Sequence, residues 1–167
     1  MRAFCIRGWL FSAIVVCSAC AKGAPPAPGT AGKLGDLVTF DDSEWTVLEA
    51  KDLGQKLAQN KGEGAVRTTE GKFVQIRYRV TNRSKKEERL LDAPRVVDAK
   101  GRQFGRIELE ALFVPTRATA LGLDPLMPRQ GKEYWTVIEL PADATGLKLE
   151  LHGLGLFGDK KLVDLEM

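Results

Sequence analysis

The chain is short of the residues on which most enzyme chemistry depends. Its 167 residues include three cysteines, two tyrosines and one histidine. Cys5, Cys17 and Cys20 all fall near the start, so everything beyond Cys20 has no thiol for a disulfide, a metal or a nucleophile. His152 is the lone histidine, and with no cysteine to share a metal it is a poor basis for zinc or general acid-base chemistry. A serine–histidine–acid order, a nucleophile elbow and a phosphate-binding loop are all missing. Charge of one sign is also scarce, since 25 basic residues meet 22 acidic ones for a net charge of +3. That balance argues against nucleic acid as a partner. Nothing in the composition calls for a cofactor.

What is present begins with a three-part leader over residues 1–19. Arg2 and Arg7 supply a basic start with no acid to offset them. An apolar centre from Trp9 to Val16 follows, and it is far shorter than the ~20 residues that a membrane-spanning helix requires. Ser18 and Ala19 are small enough for a signal peptidase, and the next residue is Cys20. This layout resembles the lipid-attachment box of bacterial lipoproteins, which implies cleavage before Cys20 and acylation of its thiol. Cys17 departs from the Leu or Val usual in such boxes. The alternative is an ordinary secretory signal cut after Ala19-Cys20-Ala21. Two or more acyl chains hold a protein stably at a bilayer, at roughly 0.8 kcal/mol per buried methylene. Ala21 in place of Asp favours the outer membrane if the source is Gram-negative. Loss of Arg2 and Arg7 would lower the net charge from +3 to +1.

Residues 20–33 comprise the lipidation cysteine and a Pro/Gly-rich linker, of which KGAPPAPGTAGK (22–33) spans at most ~40 Å. Residues 34–167 are enough for one domain built on an apolar core rather than disulfides. Residues 72–81 alternate most clearly: Val74, Ile76, Tyr78 and Val80 share one face, and Gln75, Arg77, Arg79 and Thr81 the other. Shorter strands are expected at 37–40, 44–50, 132–140, 147–151 and 163–165. Pro94 between Leu90-Leu91 and Val96-Val97 suggests an edge strand or a bend. Residues 99–102 read as a hairpin turn into Gln103-Phe104. Glycines at 54, 62, 64 and 71 mark residues 52–71 as a long mobile loop, with at most one helical turn around 55–59. Residues 106–113 fit either a strand or a helical turn, and the prolines of 115–131 mark a loop. The sum is an all-β, immunoglobulin-like antiparallel sandwich of about seven to eight strands.

Several segments in order sharpen that reading. They are Gly35-Asp36, Trp45-Thr46-Val47, 71–74 running to Val80-Thr81-Asn82, 98–104, Leu126-Met127-Pro128-Arg129-Gln130-Gly131 and 137–141. Together they resemble the telokin-like family of secreted and lipid-anchored bacterial proteins of unknown function. That resemblance implies an immunoglobulin-type sandwich, related in fold to the mycobacterial secreted immunoprotective antigen, and it implies no catalytic residue. Residues 52–71 and 106–125 depart from the family pattern.

Candidate sites are few. His152 shares its strand phase with Lys148 and Glu150 and is expected on a polar surface. Asp36, Asp41, Asp42 and Glu44 are oxygen ligands that calcium could use, but their spacing lacks a calcium-loop motif and equally suits turns. Arg83, Lys85, Lys86 and Arg89 are interrupted by Glu87 and Glu88, which suits a solvated loop, with an anionic surface such as lipid headgroups as the sharper reading. Asn82-Arg83-Ser84 matches a glycosylation sequon but serves as well as a strand-end turn. Leu121, Leu123, Leu126 and Met127 lie in a proline-flanked loop, the candidate partner loop if they are exposed together. Otherwise they cap the core. Paired carboxylates gain little support from a small sandwich without an evident cleft.

The functional expectation is a lipid-anchored bacterial envelope protein whose sandwich is a non-catalytic binding or protein-interaction module, with no metal and no cofactor. Its partners would be the membrane, through the N-terminal lipid, and an unidentified protein or envelope component. The alternatives are a structural spacer or accessory subunit of an envelope assembly, a hydrolase or calcium-dependent enzyme, and a secreted or periplasmic soluble form.

Overall fold

The alternating segment 72–81 lies within the longest strand of the molecule, and that strand organises the rest. In the computed structural model, described over residues 30–60, 64, 66–115, 121–154 and 159–167, two β-sheets pack face to face. The strands are β1 Thr30–Lys33, β2 Leu37–Thr39, β3 Ser43–Leu57, β4 Arg67–Asn82, β5 Arg95–Val97, β6 Gln103–Phe104, β7 Gly131–Leu140, β8 Lys148–His152 and β9 Lys160–Asp164. One sheet runs β2-β3-β4-β7 and the other β1-β9-β8-β5-β6. The expected sandwich is present, with nine strands among the described residues rather than seven or eight.

Burial follows the alternation. Val74, Ile76, Tyr78 and Val80 are fully buried between the sheets, with Trp45 and Val47 of β3 and Tyr134, Ile138 and Leu140 of β7. Leu147, Leu149, Leu151, Val163 and Leu165 complete the core from the second sheet. Trp45 stacks on Tyr78 at 5.5 Å and Tyr78 on Tyr134 at 5.8 Å, so an aromatic column crosses the four-stranded sheet. Ser43 Oγ accepts the Trp45 indole N–H at 3.2 Å and satisfies it inside the core.

Two expectations need correction, and two open alternatives are decided. Residues 52–71 are not simply a loop, because β3 and β4 continue through them as one long hairpin, paired as far as Leu57↔Arg67. Gly54 sits at a bulge with φ of 73°, a backbone position that glycine adopts freely. Gly71 lies against the neighbouring strand, where a Cβ would stand 1.9 Å from the Leu140 carbonyl oxygen. Second, the linker assigned to 22–33 gives way at Thr30 to β1, which pairs with β9 in parallel, the one parallel pair in the described sheets. Third, of the two readings of Pro94 the edge strand fails, for β5 pairs with both β6 and β8, while the chain does bend at Asp92 just before it. Fourth, of the two readings of residues 106–113 the helical turn holds, within a strap that has a 3-10 turn at Glu110–Leu112.

That strap builds a second apolar cluster on the outer face of the four-stranded sheet. Ile107, Phe113 and Val114 cover Phe73, Val137 and Leu57, with Leu53 and Trp135 packed alongside. The free edge of β7 is closed by the same strap. Ile107 N–H donates to the Val137 carbonyl at 2.9 Å, and Val137 N–H donates to Glu110 Oε1 at 2.5 Å. A buried carboxylate thus occupies a ladder position that an edge strand would leave open.

Candidate functional site

All the strands that matter for the site end at one pole. Ser43 at the start of β3 pairs with Asn82 at the end of β4, and Thr81 pairs with Gly131 at the start of β7. His152 at the end of β8 pairs with Lys160 at the start of β9, and Thr30 at the start of β1 lies beside Leu162. Lys161 Nζ donates to the Thr39 carbonyl, which ties the two sheets together at this pole.

Two loops, 83–94 and 121–130, meet there and are laced along their length. Gly122 N–H donates to the Leu90 carbonyl at 2.8 Å, and Glu88 and Leu126 exchange backbone hydrogen bonds at 3.0 and 2.8 Å. Asn82 N–H donates to the Gln130 carbonyl at 3.0 Å, and Arg129 N–H to the Asn82 carbonyl at 2.8 Å. The buried Asn82 side chain is the clasp. Its amide donates to the carbonyls of Lys86 at 2.7 Å and Leu126 at 2.8 Å, while its Oδ1 accepts Ser84 N–H at 2.8 Å. Arg89 adds a hydrogen bond at 2.8 Å to the Leu123 carbonyl. The Asn82-Arg83-Ser84 sequence is therefore a strand-end turn whose asparagine amide is spent inside the protein.

The lacing divides the candidate partner loop. Leu126 is completely buried and belongs to the core, which corrects its place in a partner surface. Leu121 is half-buried against the same core. Leu123 is 74% exposed and Met127 48% exposed. Leu91, 62% exposed, follows Leu90, whose carbonyl holds Gly122, and so stands on the same pole. Sequence alone did not single out Leu91, because Leu90-Leu91 reads as strand until the burial of its two members is known.

Charges at this pole sort into paired and unpaired. Arg83 faces Glu44 at 3.5 Å, Arg89 faces Glu87 at 3.2 Å, and Arg95 faces Asp92 at 3.8 Å. Lys85, Lys86 and Arg129 are exposed and form no ion pair among the described residues.

The proposed acidic and histidine sites resolve into local structure. Asp36 Oδ2 accepts Lys33 N–H at 2.8 Å in the β1–β2 turn, Asp42 Oδ1 accepts the Ser43 hydroxyl at 2.8 Å, and Glu44 pairs with Arg83. Asp41 is exposed. Among the described residues no three His, Cys, Asp or Glu side chains converge as a metal site. His152 is half-buried rather than simply polar-face, with its ring edge-on to Trp45 at 5.8 Å and Nδ1 2.8 Å from the Gly153 carbonyl. Its strand-mate Glu150 is also buried and receives Lys160 Nζ at 2.8 Å.

Glu110 and Asp143 are among the ionisable groups that their surroundings perturb. Burial pushes the Glu110 carboxyl up, against the pull of Thr136, the Val137 N–H and Arg106, and its pKa is raised. Asp143 is held down at about 2 by hydrogen bonds from Lys100 and Arg102, which fasten the 98–102 turn to the loop before β8. Both groups have structural partners.

No family model matches the chain, and no curated protein matches it. Solved structures do. The yjhA protein of Bacillus subtilis aligns with a TM-score of 0.60 at 14% identity over 80% of this chain and 99% of that one. MPT63, a secreted protein of Mycobacterium tuberculosis, aligns with a TM-score of 0.56 at 14% identity over 84% and 99%. A functionally unknown protein of Listeria monocytogenes aligns with a TM-score of 0.59 at 10% identity over 81% and 83%. These likenesses establish the sandwich fold and agree with the telokin-like resemblance. At such identities they carry fold alone.

Proposed function

We propose that this chain is an envelope-anchored, non-catalytic binding module that makes its contacts through the pole formed by the two laced loops. The observation that carries this reading is the division of one short loop. Leu126 enters the core and fixes the backbone, while Leu123 and Met127 on either side are held out in solvent by a hydrogen-bonded frame. Apolar side chains displayed on a rigid frame lose little freedom when a partner covers them. Loops fixed by a scaffold are the usual place for such contacts.

Cys20 supplies the anchor in this reading. Its support is the leader that precedes it and the absence of any other cysteine after it. A secreted protein among the fold neighbours agrees equally with export without an anchor. Cys20→Ala should move the protein from the membrane fraction to the soluble fraction of the envelope. A photo-reactive residue at position 123 should capture an envelope component in a saturable way, and a control at Leu109 should not. Capture independent of probe position, or reproducible turnover by the purified protein in a broad hydrolase screen, would defeat the proposal.

A further inference from the structure

We infer that the component faced by this pole is an anionic lipid surface, onto which the domain docks with Leu91, Leu123 and Met127 directed at the bilayer and Lys85, Lys86 and Arg129 at its headgroups. The inference rests on the anchored reading above and names the partner of the same site.

Three observations converge on it. The first is where the chain enters the domain. Thr30 pairs with Leu162 near the start of β9, and Lys161 next to it reaches Thr39, so β1 begins at the pole that carries the laced loops. The stretch from Cys20 to Thr30 reaches at most ~35 Å even when fully extended. An acylated Cys20 therefore keeps this pole near the membrane and leaves the strap and hairpin tip at the far end. The second is composition. Leu91 is 62%, Leu123 74% and Met127 48% exposed, a small apolar set of the kind that enters the boundary between headgroups and acyl chains.

The third is charge. The pole has acids as well as bases, namely Glu44, Glu87 and Asp92, with Asp41, Asp42, Glu88 and Asp124 nearby. Glu44, Glu87 and Asp92 are already matched by Arg83, Arg89 and Arg95. Glu88, 3.4 Å from the Ser84 hydroxyl, and the exposed Asp41 form no ion pair among the described residues and offset part of the basic charge. Among the cations, Lys85, Lys86 and Arg129 are left without ion pairs among the described residues. Each basic side chain near an anionic leaflet strengthens binding by about fivefold, within a Debye length of the surface. Three such cations, partly offset by Asp41 and Glu88, lie on the same laced loops as three exposed apolar side chains and give a weak docking surface, suited to a domain already held by its lipid rather than to one binding unaided.

The test uses the mature acylated chain with Leu123→Cys, whose thiol is labelled with an environment-sensitive dye because the Cys20 thiol is blocked. The labelled protein is reconstituted into vesicles of phosphatidylcholine, or of phosphatidylcholine with phosphatidylglycerol, and quenching by headgroup-region nitroxide lipids is read. Quenching should be strong with phosphatidylglycerol, weak without it, and reversed by high salt. The double substitution Lys85→Glu and Lys86→Glu should remove the dependence on phosphatidylglycerol. A dye at Leu109→Cys on the strap should stay in water throughout. A water-exposed dye at position 123 in both vesicles overturns the inference, as does protection of position 123 by a protein partner in native envelopes. The mass of the N-terminal peptide reports the anchor separately. If Cys20 is not acylated, the anchored reading fails, and adding the same vesicles to the unanchored labelled chain still decides whether the pole docks.

Discussion

Two regions of this sandwich carry apolar residues outside the main core, and they treat them in opposite ways. On the strap side, Ile107, Phe113 and Val114 fold back over Phe73, Val137 and Leu57, and the edge of β7 is closed by the Glu110 carboxylate. On the laced-loop side, Leu91, Leu123 and Met127 stay exposed although the backbone beneath them is just as well hydrogen-bonded. Both regions therefore have an ordered frame, and although Leu109 and Leu112 of the strap are exposed as well, only the strap folds Ile107, Phe113 and Val114 over a second buried cluster.

The strap side should break hardest. Phe73→Ala removes the largest side chain beneath the strap, and chemical denaturation should show a loss of about 3–5 kcal/mol. Leu126→Ala should lose about 2–5 kcal/mol, while Leu123→Asp, three residues earlier, should stay within about 0.5 kcal/mol of the wild type. If the two leucines lost equal stability, the inward and outward division of that loop would be gone. Glu110→Ala strands the buried Val137 N–H and should lose about 1–3 kcal/mol, and Glu110→Gln should lose much less because its amide oxygen still accepts that bond.

The pH dependence sharpens the same contrast. Glu110 has a raised pKa in the fold, so its contribution is fully present below the ordinary carboxylate range and declines as pH rises through the raised value. Glu110→Gln should flatten that decline in melting temperature. Asp143 behaves in the opposite sense. Its pKa is lowered to about 2, so its contribution is present above the ordinary carboxylate value and is lost as pH falls toward 2. Asp143→Asn should remove that acid-side loss while leaving the neutral-to-alkaline side unchanged. A small effect of the opposite sign is expected at Leu109, a non-glycine residue with φ of 56° and 74% exposure. Leu109→Gly relieves the left-handed conformation and should raise stability by up to about 1 kcal/mol.

The sandwich was legible because burial repeats every second residue, and that period is written directly in Val74, Ile76, Tyr78 and Val80. The hairpin extension was not, because its glycines look like breaks in sequence. Gly54 serves a bulge and Gly71 a close backbone approach, so neither ends its strand. β1 was hidden for a similar reason, since four small or polar residues become a strand only through the partner that β9 offers. At the pole, sequence singled out the 121–127 loop and missed its division, because Leu123 and Leu126 have equal hydropathy and only the Asn82 clasp decides which one turns inward. Leu91 escaped notice because its exposure depends on the same lacing.

The parallel pairing of β1 with β9 has a mechanical side. A pull on the segment before Thr30, directed away from the pole, runs along the strand axis and not across it. The β1–β9 contacts from Thr30 to Lys33 are then strained side by side, as in a lap joint, and must yield together. An edge strand entered from its other end would instead peel away one bond at a time. The direction in which four residues join the sheet thus sets how firmly the domain would resist a pull on the chain ahead of it.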